Sequence, residues 1–234
     1  GWTPAAGSAV KVPDRDTVWK VEQGGTLTPA SPVTLVWDNG QGVVFRRTIR
    51  VDENFLFTTT DEVENKTGAE LKLHPYARVF REGTPKIEGF IVQHEGLIGV
   101  LGDSGLQEIT YADVQKDGGS KDFNKITGGW LGFTDKYWAS ALIPDQTATY
   151  RGSLRVIQKK AATARESFQA DYIQDAVTVP AGAKKAVEQR LYAGAKHVKV
   201  IEAYQEKYNI KKFDLMIDWG WFYFITKPMW HLLD

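Results

Sequence analysis

The sequence contains no cysteine, which excludes disulfide frameworks, thiolate zinc sites and cysteine nucleophiles. It also has no net charge, because Lys and Arg together number 29 and so do Asp and Glu. A protein whose main partner is nucleic acid needs a basic excess to neutralise phosphates, so no nucleic-acid partner is expected. No stretch reaches the roughly 18 consecutive apolar residues of a membrane span. Gly1–Val10 lacks the basic start and apolar core of a signal peptide. Any export signal is therefore expected outside residues 1–234, whose two ends read as cuts in a longer chain. Catalytic motifs are missing as well: there is no Gly-x-Ser-x-Gly elbow and no Gly-rich phosphate loop ending in Lys-Ser or Lys-Thr. The four histidines, His74, His94, His197 and His231, include no pair at the i,i+4 spacing of a zinc-binding helix. No catalytic residue, cofactor or metal is expected.

What is present suffices for a large core, with 42% hydrophobic residues of which many are aromatic. Short β-rich runs fill the first three quarters of the chain: Thr17–Glu22, Val33–Trp37, Val43–Val51, Asn54–Thr60, Leu71–Glu82, Ile87–His94, Leu106–Tyr111, Trp130–Ile143, Ala148–Gln158 and Arg165–Val179. Asp38-Asn39-Gly40 and Asp52-Glu53 read as turns between them. Many short strands at this spacing predict an all-β sandwich rather than alternating βαβ units. Leu97–Gly105 reads as a turn-rich connection, Lys116–Asp122 as a loop tip, and Asp61, Glu62 and Glu64 as a solvated acidic loop. Trp130, Tyr137 and Trp138 are assigned to the sandwich core, since large aromatics bury most of their area. His74 and His94 sit on separate predicted strands and, if brought together beside a carboxylate, would suit acid–base sugar chemistry. Eight tryptophans also leave a carbohydrate- or polymer-binding cleft open as an alternative.

The character changes after Gly194, which reads as the residue turning the last strand into a helix. Val198, Ile201, Tyr204 and Tyr208 recur at helical spacing, and Lys196, Lys199, Glu202, Glu206 and Lys207 occupy the solvated positions. Residues 1–194 are thus expected to form the sandwich, 195–212 a helix packed on or beside it, and 213–234 a separate amphipathic segment. In that segment Gly220, Tyr223, Lys227, His231 and Asp234 share one stripe of a helical wheel. The remaining face is apolar, and the residues expected at a membrane interface are Trp219, Trp221, Phe222, Tyr223, Phe224, Ile225, Met229, Trp230, Leu232 and Leu233. Tryptophan and tyrosine concentrate where hydrocarbon meets water, so a segment too short to span is expected to lie in the headgroup layer. Pro228 predicts a kink or a fresh helical start.

Three stretches carry a resemblance. They are Leu35–Gly40 with Val44–Ile49 and Val51–Phe57; Gly129–Trp138 with Ala141–Pro144; and Leu191–Lys196 with Phe213–Phe222, which ends Asp-Trp-Gly-Trp-Phe. Their order and spacing resemble the large periplasmic domain of the YidC-type membrane protein insertases, in the YidC/Oxa/Alb family. One departure is Ala195, where that family's Tyr-x-Gly-Pro-Lys has proline. The resemblance implies a β-supersandwich similar to galactose mutarotase. It also implies a place in the periplasm, between the first and second transmembrane helices of a bacterial inner-membrane protein. Its parent would insert and fold membrane proteins, alone or with the Sec translocon. Implied partners are the membrane surface, the Sec translocon or SecDF-type subunits, and nascent membrane proteins. The insertion groove of that family belongs to transmembrane helices, and no residue here corresponds to it.

Overall fold

In the computed structural model, which describes residues 1–85, 93–116, 119–157, 166–220 and 223–233, the chain forms two antiparallel sheets laid face to face. In chain order the strands are β1 (Trp2–Pro4), β2 (Lys20–Gln23), β3 (Val33–Asp38), β4 (Val43–Val51), β5 (Leu56–Asn65), β6 (Leu71–Glu82), β7 (Gly96–Leu101) and β8 (Leu106–Thr110). A short helix α1 (Tyr111–Lys116) precedes β9 (Ser120–Thr127), β10 (Gly129–Thr134), β11 (Trp138–Ile143), β12 (Thr149–Ile157), β13 (Ser167–Gln174), β14 (Val177–Val179) and β15 (Lys184–Ala195). The chain closes with α2 (Val198–Tyr208), a 3-10 turn at Phe213–Met216, and α3 (Tyr223–Leu233). The large sheet runs β2-β3-β4-β5-β15-β11-β10-β7-β8, and the small one β1-β6-β13-β12-β9 with β14 also on β6. The all-β, two-sheet architecture is the one the strand pattern predicts.

Turn chemistry sets the early hairpins. Asn39 Oδ1 accepts the amides of Gln41 and Val43 at 2.7 and 3.1 Å, while Gly40 and Gly42 take positive φ of 71° and 83°. Asp52 Oδ1 does the same for Asn54 and Leu56, both at 3.0 Å.

Three apolar clusters hold the layers. Leu97, Leu131, Leu142, Tyr150, Leu154 and Phe168 meet between the sheets. Ile98, Val100, Trp130, Ala141 and Tyr192 point from the opposite face of the large sheet and are capped by Ile201, Tyr204, Phe213 and Met216. A third cluster, around Trp2, Phe45, Val63 and Leu73, closes the other end. β7 and β10 are therefore buried along their whole length. A strand covered on both faces reads as an unbroken apolar run.

That double burial corrects several expectations. Leu97–Gly105 is no connection for the most part: Gly96–Leu101 is the buried strand β7. Of Lys116–Asp122, the last residues open β9. The acidic trio lies within β5 and not in a loop, with Asp61 opposite Arg47, Glu62 opposite Arg46 and Glu64 opposite Val44 of β4. Asp61 is only 2% exposed and takes Arg47 in a fork at 2.7 and 3.2 Å, while Arg46 Nη1 reaches Glu62 at 3.2 Å and Glu64 at 2.7 Å. The charges neutralise each other across the ladder, so β5 continues to Asn65. Gly194 is an ordinary residue of β15, and the turn into α2 falls at Lys196-His197. Most of the predicted strand Ile87–His94 lies outside the described residues.

Trp130 is in the core, but Tyr137 and Trp138 are 64% and 61% exposed. They sit at the tip of the β10–β11 hairpin, closed by the Asp135 amide on the Trp138 carbonyl at 2.8 Å. Trp138 shares the inward parity of Leu142, yet it stays exposed at the hairpin tip while Leu142 is buried.

Close packing between β10 and β11 makes one glycine indispensable. A Cβ on Gly132 would fall on the Ser140 carbonyl, with the Ala141 Cα 2.9 Å away. Gly132→Ala is expected to destabilise the fold by about 3 kcal/mol, the upper part of the overpacking range, measured as a lower midpoint in urea unfolding.

Candidate functional site

The chain reaches its C-terminal segment by crossing the large sheet twice. α2 leaves the end of β15 and is pinned where Tyr204 Oη, 2.7 Å from both carboxylate oxygens of Asp52, donates to that side chain. Burial and this carboxylate push the Tyr204 phenol well above its ordinary pKa. Beyond the left-handed Asn209 cap, Lys211 reaches the far end of the sheet, its amide on Gln146 Oε1 at 3.2 Å. The 3-10 turn then seats Phe213 edge-on against Trp130, with ring centroids 5.5 Å apart. Asp218 comes back to the near end, where its Oδ2 accepts the His94 amide at 3.1 Å.

Here α3 begins to differ from everything before it. Lys227 faces the body, with Nζ 2.6 Å from Asp214 Oδ2, 3.2 Å from Glu202 Oε1 and 5.9 Å from the centre of the Trp219 ring. Burial opposes the charge on Lys227, but hydrogen bonds to the two carboxylates outweigh it and raise its pKa. Stability from a lysine whose folded pKa is raised is fully present below the unfolded value, so it operates at neutral pH and is lost as pH rises through the folded value. Trp219 and Trp230 meet edge to face at 6.1 Å, both half-buried. The Trp219 indole N–H is enclosed without a hydrogen-bond partner among the described residues. An enclosed donor left in this state costs about 1–3 kcal/mol.

Four apolar side chains of α3 face solvent. Phe224, Ile225 and Met229 are exposed, and Leu232 is 84% exposed. Ile225, Met229 and Leu232 follow at steps of four and three, which aligns them on one helical stripe. Of the ten residues expected at a membrane interface, Ile225, Met229 and Leu232 form that stripe and Phe224 lies to one side of it, while Trp219 and Trp230 turn toward the protein. Tyr223 and Leu233 are the first and last residues of α3. Trp221 and Phe222 lie outside the described residues. The helix is continuous through Pro228, with no fresh start there. Among the described residues no helix is long and apolar enough to cross a membrane. Sequence reasoning missed Asp214 and Glu202 as the anchors of Lys227, because three separate segments bring them together.

The histidines are not assembled into a pair. His74 lies near the start of β6 with Nδ1 2.8 Å from the Gln174 carbonyl, whereas His94 precedes β7 with Nε2 3.0 Å from the Leu97 carbonyl. Among the described residues no three His, Asp or Glu side chains cluster as metal ligands. A groove of about 530 Å³ runs past Trp2, Arg15, Tyr76, Arg78 and Asp171. Its one tryptophan, Trp2, is buried, so it offers no exposed indole for a sugar ring.

Among the described residues, the attachment of α3 includes partly exposed ion pairs, which contribute up to about 1 kcal/mol each. Lys227→Met is expected to raise amide exchange across residues 223–233 by about fivefold, while amides of β7 and β10 keep their protection. Hydrogen-exchange mass spectrometry distinguishes the two regions.

The chain matches known proteins along nearly its whole length. The YidC periplasmic domain family matches residues 1–232. A protein of Nitrobacter hamburgensis named membrane protein insertase YidC is 48% identical over 243 residues, covering all of this chain and 39% of its own length. One of the same name from Methylorubrum extorquens is 48% identical over 241 residues, covering all of this chain and 38% of its own length. The chain therefore spans under two fifths of these relatives. Among solved structures, a putative aldose 1-epimerase from Klebsiella pneumoniae aligns over 76% of this chain and 54% of its own, with TM-score 0.36 and 10% identity. Similarity at that level carries no argument about chemistry. On the family match and these identities together, the chain belongs to the YidC periplasmic domain family.

Proposed function

We propose that this chain is a non-catalytic interaction domain of a bacterial inner-membrane insertase, held at the periplasmic surface of the bilayer by its C-terminal segment, residues 213–234. The observation that carries this reading is the exposed apolar stripe Ile225, Met229 and Leu232, with Phe224 exposed beside it, on a helix tethered by Lys227 and a tryptophan pair. A helix with one apolar face, charge on the other and insufficient length to span suits the boundary between headgroups and acyl chains. The relatives share the name membrane protein insertase, and the activity proposed here for the whole protein is inserting and folding inner-membrane proteins, alone or beside the Sec translocon. In this reading residues 1–194 are the scaffold, 195–212 lock the segment onto it, and a transmembrane helix follows residue 234. Nascent membrane proteins and Sec or SecDF-type subunits are the partners that such a position would bring within reach.

Liposome co-sedimentation of the 234-residue chain beside a version stopped at Ile217 tests the anchor. Binding is expected to fall at least about tenfold on truncation, the scale of losing one or two apolar side chains from the interface, and to be stronger on anionic than on neutral lipid. If neither protein binds and the shorter one is less stable, α3 belongs to the fold and the reading fails.

A further inference from the structure

We propose that the β10–β11 hairpin tip, Lys136-Tyr137-Trp138, together with Phe55, is a second contact with the lipid headgroup layer, so that the domain stands on the membrane on the rim from which its C-terminal segment leaves. The inference rests on the reading of α3 as interfacial and extends it to the orientation of the whole domain.

Three large aromatics are exposed at this rim: Tyr137 and Trp138 at the hairpin tip, and Phe55 at 58% in the β4–β5 turn. They sit at neighbouring strand ends. The Phe55 carbonyl accepts the Ala193 amide at 3.2 Å, and Trp138 pairs with Ala195 two residues further along β15. Phe55 holds φ of 63°, a conformation that a bulky side chain rarely adopts and that costs about 1–3 kcal/mol. Burial does not repay that strain, because the ring is mostly in solvent.

The tip is held rigidly. Arg81, from the small sheet, forks onto both Asp135 oxygens at 2.7 and 2.8 Å, and the Lys196 amide donates to the Tyr137 carbonyl at 2.8 Å. Lys136 places its ammonium 5.0 Å from the centre of the Tyr137 ring. Aromatic rings beside a lysine on a convex tip match the headgroup layer, where rings are shielded and the ammonium stays wet among phosphates.

Position supplies the link to α3. Lys196 Nζ donates to Thr134 Oγ1 at 3.1 Å, beside the tip, and the charge of Asp218 acts on the same ammonium. Asp218 is the residue after which the chain departs toward α3. The hairpin tip and the root of the membrane segment therefore share one end of the large sheet.

Because the chain has no cysteine, single thiols can be introduced and labelled with an environment-sensitive fluorophore at Lys136→Cys, at Met229→Cys on α3, and at Ala181→Cys beyond the opposite end of β15. On phosphatidylglycerol-containing vesicles the labels at 136 and 229 are expected to shift to the blue and to be quenched by headgroup spin labels, while the label at 181 is unchanged. Tyr137→Ser with Trp138→Ser, both at exposed positions, should weaken vesicle binding by about tenfold. A label that moves at 229 but stays aqueous at 136, with the double variant binding like the parent, overturns the hairpin contact and leaves α3 as the anchor. Aqueous behaviour at both positions overturns the two readings together.

Discussion

The central strands of the large sheet are apolar on both faces, and the remainder of the molecule is arranged around the need to cover the second one. One face of β7, β10 and β11 meets the small sheet, as in any sandwich. The other would expose Ile98, Val100, Trp130, Ala141 and Tyr192 to water if α2 and the 3-10 turn did not lie across it. Trp130 shows how closely the cover fits: its ring is fully buried, its edge meets Phe213, and its indole N–H donates to the Lys212 carbonyl at 3.2 Å. A cover of two short pieces that cross the strands out and back returns the chain to the end where it began. The exit at Asp218 follows from that path.

Different forces hold the body and its appendage. Apolar clusters and long antiparallel ladders hold the sheets, and such interiors resist any change in volume. Among the described residues, α3 is attached by Lys227 between two carboxylates and by two half-buried tryptophans, one with its N–H enclosed and unmatched there. Ion pairs of this exposure are weak and exchange readily with water or with other anions. A helix attached in this manner can leave its seat without disturbing the core, which is the property an element shared between a protein surface and a lipid surface requires. The rigid hairpin tip at the same rim complements it, since a fixed contact orients the domain while a loose one lets the tether adjust.

Much of the sandwich was legible in the sequence because local rules and the final fold agree there. β4 and β6 coincide with the predicted runs to the residue, and the Asn39 and Asp52 turns are made by the side chains whose chemistry marks them. The misreadings share one cause, which is that residue types were judged without their neighbours. Gly96–Leu101 looks like a connection because of its glycines, but Gly99 in the middle of β7 is there because a Cβ would press on the Trp130 carbonyl of the adjacent strand. Asp61-Glu62 looks like solvated loop until Arg46 and Arg47 are placed opposite. The long strand β15 begins with charged, exposed residues and carries no alternation at its start, so periodicity alone does not announce it.

For the candidate site the division is similar. The sequence by itself determined that residues beyond Ile217 are aromatic, amphipathic and too short to span, because composition and helical spacing are local properties. It also determined that cysteine chemistry is absent and that α2 presents Ile201 and Tyr204 on one face. Only the tertiary structure decided which side of α3 remains outside, since that depends on Lys227 meeting Glu202 from one segment and Asp214 from another. Only the tertiary structure, likewise, moved Tyr137 and Trp138 from the core to the rim. Strand parity gives Trp138 the same side as the buried Leu142, but how much of that side is covered depends on what packs over the strand end, and no single strand encodes it.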